Sequence, residues 1–209
     1  MIDNKCKICR RLGEKLFLKG EKCLSPRCPM VRKPYPPGQK GKRRRSGLSE
    51  YGKELREKQK LKNWYNLKET QFRNYVKEVL KKRRRMEDAG AQLIQILERR
   101  LDNVVFKLGF ANSRNQARQL VSHRHILVNN KIVNIPSFLV KKGDKIKIKP
   151  ASNKKEALKH LSATLKKQIP PQWLSLNIDK LEGEVKILPT IEEAEIPVEV
   201  SAIFEFYSR

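Results

Sequence analysis

All four cysteines of this chain lie within its first 28 residues, as the pairs Cys6/Cys9 (C-x2-C) and Cys23/Cys28 (C-x4-C), with thirteen residues between the pairs. A segment this short cannot bury enough apolar surface to fold unaided, so its order has to come from a cross-link or an ion. Two thiol pairs straddling a loop can converge tetrahedrally on one zinc ion, and an iron–sulfur cluster is the alternative occupant of an all-cysteine set. Four protein ligands leave no position open for water, so a structural ion is expected rather than a catalytic one. Between the pairs, residues 13–20 read as a short hairpin. Lys7, Arg10, Arg11, Lys22 and Arg27 interleave with the ligands. They offset the negative charge of a tetrathiolate site, and Arg10 and Arg11 are candidate contacts for an anionic partner.

The charge balance names the class of that partner. The chain carries 48 Lys plus Arg against 22 Asp plus Glu, a net charge of +26, and a surface of that sign seeks a polyanion. The last forty residues hold eight acidic and three basic side chains, a net of −5, so the first 169 carry +31. The polyanion belongs to that larger part, while the acidic tail suits a protein or the chain's own basic segments. The stretch MIDNKCKICRR lacks the apolar centre of a secretory signal, and no run approaches the roughly 20 apolar residues of a membrane span. The chain is therefore expected in the reducing cytoplasm, away from membranes, where clustered thiols bind metal rather than pair. No Gly-rich phosphate loop, G-x-S-x-G motif or βαβ series provides for a small-molecule substrate or a catalytic residue, so no enzyme is expected.

Hydrophobic periodicity sets the elements. After the linker KPYPPGQKGKRRRSG, whose Lys42, Arg43, Arg44 and Arg45 are candidate phosphate contacts, Ser49 reads as the N-cap of a first helix. A second places Phe72, Tyr75, Val76, Val79 and Leu80 on one face and ends in KKRRR. A third is expected over about residues 91–108, closed by Gly109, and a fourth starts at the capping box Ser113-Arg114-Asn115-Gln116, burying Ala117, Leu120 and Val121. A strand at 125–128, an Asn129-Asn130 turn and a return strand at 131–133 form a hairpin, and 145–149 forms a further strand. Residues 152–168 read as helix. Residues 173–178, 184–187 and 202–207 read as strands.

Residues 98–149, ERRLDNVVFKLGFANSRNQARQLVSHRHILVNNKIVNIPSFLVKKGDKIKIK, resemble the RNA-binding module named after ribosomal protein S-four. PYPPGQ, LREKQKL (55–61), QFRNY (71–75), WLSLN (173–177), EFYSR and the cysteine block extend the resemblance to the S-four family of bacterial small-subunit ribosomal proteins, in its cysteine-bearing, zinc-type form. The resemblance implies a protein that binds the 5′ domain of 16S ribosomal RNA, nucleates subunit assembly and contributes to translational accuracy. It also implies a neighbour of the S-five family and a place near the channel by which messenger RNA enters. The expected fold is α+β: a four-cysteine metal module with a basic linker (1–45), a mostly helical discontinuous domain (46–90 and 170–209), and an inserted α-α-β RNA-binding domain with its following helix (91–169).

Arg114, Arg118 and Gln119 on the module's second helix, with His123, Arg124, Asn129, Asn130 and Lys131 beyond it, make a helix-plus-turn surface suited to folded RNA. Arg56, Lys58, Lys60 and Lys62 in LREKQKL and its continuation would add phosphate contacts. Because Arg114 and Arg118 sit off the apolar face, replacing both is expected to weaken RNA binding without disturbing the fold. Arg124 stands where the family usually has glycine, as does Asn130 in the turn; a positive φ at Arg124 would cost on the order of 1 kcal/mol. The rival readings are a stand-alone RNA-binding regulator or ribosome-associated factor, an accessory domain of an RNA-modifying enzyme and a DNA-binding zinc protein. The enzyme reading lacks a catalytic domain, and the DNA reading lacks a histidine pair after the cysteines.

Overall fold

A computed structural model describes residues 4–38, 47–82, 86–150, 165, 169–194 and 196–208. The chain divides into two units, Met1–Gly90 with Ile196–Arg209, and Ala91–Glu195.

In the first unit, α1 (Asn4–Leu12) carries Cys6 and Cys9, which three-residue spacing puts on one helical face. Gly13, at φ 79°, donates its N–H to the Cys9 carbonyl and ends the helix in the left-handed conformation that glycine tolerates. The expected hairpin at 13–20 is not formed: left-handed residues at Gly13, Phe17 and Gly20 break an extended path, and the chain passes by turns into α2 (Glu21–Leu24) and α3 (Pro29–Arg32). The Ser49 hydroxyl accepts the Gly52 N–H at 3.3 Å and starts α4 (Glu50–Trp64). In α5 (Glu69–Lys82), Phe72, Val76 and Val79 are fully buried, as the seven-residue apolar pattern requires.

Helix α6 (Met86–Glu98) crosses the boundary between the units in sequence, and the third helix expected over 91–108 is interrupted after it. Arg100 is extended, bridges to Leu139 and caps α7 (Leu101–Lys107), while Leu101 N–H bonds the Phe138 carbonyl at 2.8 Å. The backbone leaves the helical path there to pair with a loop distant in sequence. α8 (Arg114–Ser122) follows, then β1 (Ile126–Val128), β2 (Lys131–Ile132) and β3 (Lys145–Ile148).

β4 (Leu174–Asn177) and β5 (Glu182–Val185) complete an antiparallel sheet of order β2-β1-β3-β5-β4, with Lys145 opposite Glu184 and Leu174 opposite Val185. Sequence placed all of 170–209 with the helical domain. The correction is that 174–185 extends the module's own sheet, because β3 would otherwise present an unpaired edge. Trp173, Leu174 and Val185 join Leu101, Leu108, Ile126 and Ile146 in one core. After the short α9 (Ile191–Ala194), the segment expected as a strand over 202–207 is helix α10 (Val200–Ser208). Its Ile203 and Phe204 are buried, Tyr207 is half-buried, and it packs along α4 in the first unit. Spacing of i, i+1, i+4 outweighs the β propensity of those aromatic and branched residues. The expected helix at 152–168 and the linker residues Lys42, Arg43, Arg44 and Arg45 lie outside the described residues, Leu165 excepted.

Candidate nucleic-acid interface

Helix α8 is held in place from both ends. At its start the Ser113 hydroxyl accepts the Gln116 N–H at 3.3 Å, and the Gln116 side chain reaches back to accept the Asn112 N–H at 2.9 Å. The reciprocal bond therefore lands one residue before the cap that an S-x-x-Q box implies. At its end, Arg124 N–H bonds the Val121 carbonyl and His125 N–H bonds the Leu120 carbonyl, both at 3.0 Å, with Arg124 at φ 60°. This is a Schellman termination with arginine in the left-handed position usually taken by glycine. Gln119, His123 and Arg124 are exposed beside it, and the His123 and His125 rings lie 6.2 Å apart.

The hairpin turn behaves as its residues dictate. Asn129 at φ 50° and Asn130 at φ 65° make a primed turn, a conformation asparagine accepts. Asn130 and Lys131 are exposed. Asn129 is also tied down: its side chain donates to Asp144 at 2.8 Å and accepts the Lys145 N–H at 3.0 Å, so it fixes the turn against β3.

Arg114 and Arg118 are half-buried, not free on the outer face. Arg114 donates to the Asn103 side-chain oxygen at 2.9 Å and covers the Phe106 ring at 4.6 Å. Asn103 in turn donates to Glu98 at 2.9 Å. Beside it, the fully buried Arg100 makes a two-pronged pair with Asp102, at 3.0 and 2.7 Å, and Arg118 lies within electrostatic reach of the same carboxylate. Glu98 with Asn103 and Arg100 with Asp102 thus form two buried polar pairs that the sequence reading missed. Helical periodicity gave no signal for them: the apolar stripe runs through Leu93, Leu97, Leu101, Val104, Val105 and Leu108, and none of these four polar residues lies on it.

The basic residues of α4 are engaged within their own unit. Lys58 and Lys62 pair with Glu69 at 2.7 and 2.9 Å, and Lys60 pairs with Glu14 at 2.6 Å. Arg56 donates to the Leu12 carbonyl and faces Glu14 at 3.5 Å. Lys58 is buried and lies over the Phe206 ring at 4.4 Å. Burial alone would raise Glu69, but the hydrogen bonds from Lys58, Lys62 and Tyr207 outweigh it and hold the carboxyl at about 2. Tyr207 is pushed upward, by burial first and then by its hydrogen bond to Glu69.

In the cysteine block, Arg10 donates to the Lys33 and Tyr35 carbonyls at 3.0 and 2.9 Å and stacks on Tyr35, so it pins the start of the linker, while Arg11 is exposed. Cys6, Cys9, Cys23 and Cys28 form no disulfide with one another and line one small cavity. Lys19 N–H donates to the Cys23 sulfur at 3.4 Å. Burial pushes the Cys9 and Cys23 thiols up, and the neighbouring thiols add to it. Four thiols are, as a donor type, the set a soft cation prefers. In geometry, no group of three or more His, Cys, Asp or Glu side chains among the described residues is arranged to hold an ion. No helix among the described residues is long and apolar enough to cross a membrane.

Comparison with known proteins agrees with this architecture. The family described as ribosomal protein S4/S9 N-terminal domain matches residues 1–98, and the S4 domain matches 99–146. A protein named small ribosomal subunit protein uS4 from Halothermothrix orenii is 50% identical over 98% of this chain and 96% of its own length. Proteins of the same name from Syntrophus aciditrophicus and Caldicellulosiruptor saccharolyticus are 47% and 48% identical, over 99% and 98% of this chain and 98% and 96% of their own lengths. The chain belongs to the uS4 family of small-ribosomal-subunit proteins.

Proposed function

We propose that the chain is a structural, non-enzymatic constituent of the small ribosomal subunit in the cytoplasm, bound to 16S ribosomal RNA. The observation that carries this is membership of the uS4 family over nearly the whole length. The exposed Gln119, His123, Arg124, Asn130 and Lys131 offer the RNA a helix end and a tight turn, a form suited to reading folded RNA by shape, phosphate and 2′-hydroxyl contacts.

At finer grain, the target is the 5′ domain of that RNA, bound early enough to nucleate assembly and to influence accuracy. The acidic last forty residues support a protein neighbour, which we assign to the S-five family, and the +31 charge of the rest supports proximity to messenger RNA. The four cysteines, unpaired in disulfides and lining one cavity, support one structural zinc ion, with an iron–sulfur cluster as the alternative. The test is binding to a 16S 5′-domain transcript and to an equal-length unrelated structured RNA across a salt series. A site-specific component keeps the first complex at salt that strips the second, whereas joint loss marks binding by charge alone.

A further inference from the structure

Gln116, Gln119, Leu120, His123 and His125 wall an open cavity of about 170 Å³ at the C-terminal end of α8. It is smaller than the roughly 300 Å³ at which sites for drug-sized ligands begin, so it can take one ring system and no more. Its walls are of three kinds: an apolar floor at Leu120, two imidazoles tilted by 42°, and amides. The Gln116 oxygen accepts the Asn112 N–H, whereas Gln119 is exposed at the mouth. An anion alone would not call for apolar and aromatic walls. A nucleobase uses all three, stacking on the rings and meeting an amide with its edge.

The backbone adds an independent observation. Arg124 separates the two histidines and sits at φ 60° in a conformation that glycine would take without strain. The termination is made by main-chain bonds, so the exposed arginine side chain is not needed to form it. Strain held at a solvent-facing residue points to a role for the side chain outside the fold.

We infer that this cavity is a single-nucleotide pocket, taking one unpaired RNA base against His123, His125 and Gln119 while Arg124 meets the adjoining phosphate. The inference rests on the RNA-binding role proposed above and names the form of RNA that the α8 end receives. It separates two kinds of contact on one short segment, a base contact insensitive to salt and a phosphate contact that releases counterions.

The experiment measures thermal stability, affinity and the slope of log affinity against log salt, using full-length protein, the 16S 5′-domain transcript and the unrelated structured RNA. Arg124→Gly is expected to raise the melting temperature, weaken binding and reduce the magnitude of the slope by about 0.7 to 0.9. His123→Ala is expected to weaken 5′-domain binding about tenfold, with slope and melting temperature unchanged. His123→Phe, which keeps a stacking plane, is expected to retain affinity. Wild-type affinity in either Arg124→Gly or His123→Ala, or a slope change in His123→Ala, overturns the pocket. A wild-type protein with no preference for the 5′-domain transcript overturns the underlying functional reading instead.

Discussion

Arg114 shows why single residues are hard to place from sequence. Helical periodicity puts it off the apolar stripe, and its charge suggests RNA. Its long side chain nevertheless lies across Phe106 and donates to Asn103, which in turn donates to the buried Glu98. Periodicity reports the side of a helix from which a residue leaves, not how far a flexible stem reaches. Arg114→Ala is therefore expected to lower stability by about 1–2 kcal/mol, read as a fall in melting temperature, through loss of a hydrogen bond and a ring contact. An unchanged melting temperature would return Arg114 to the free surface. Arg124 is the opposite case: its position after α8 was legible, the possibility of positive φ was legible from the glycine usual there, and the structure gives φ 60°.

At the scale of elements, the helices with full apolar stripes and the Asn-Asn hairpin were legible because their patterns are local. α10 was misread because its aromatic and branched residues favour strands, and the break between α6 and α7 was hidden because its cause is a pairing with Leu139. The basic row of α4 expected to meet phosphate also serves inside the protein: Lys58, Lys60, Lys62 and Arg56 face Glu14 and Glu69. Glu69 is held at about 2, below its ordinary 4.5, so its contribution to stability is present above pH 4.5 and is lost as pH falls through about 2. Its side chain is 43% exposed, so solvent screens part of the effect. Melting curves between pH 5 and 2 are expected to show wild type losing more stability than Glu69→Gln across that window. Parallel curves would show that the Lys58–Glu69–Lys62 group does not hold α4 to α5.

For the molecule as a whole, the RNA partner and the non-enzymatic character were legible from charge, composition and motifs. The sheet that recruits residues 174–185 was not, since strand pairing between distant segments leaves no local trace. If one zinc ion organises the first module, removing metal with a chelator is expected to open amides within residues 4–36 to hydrogen exchange while those of β1, β3 and β5 stay protected. Protection of the first module without metal would reject that role for the thiols.

The +26 charge is divided between cations that neutralise internal carboxylates and cations that face outward. Melting temperature and the salt slope of 5′-domain binding, measured together on Lys58→Met and Lys131→Ala, test that division. Lys58→Met is expected to lower the melting temperature and leave the slope unchanged; Lys131→Ala is expected to leave the melting temperature unchanged and reduce the slope by about 0.7 to 0.9. A reduced slope in Lys58→Met with an unchanged slope in Lys131→Ala would place the RNA on α4 and contradict the interface proposed at the end of α8.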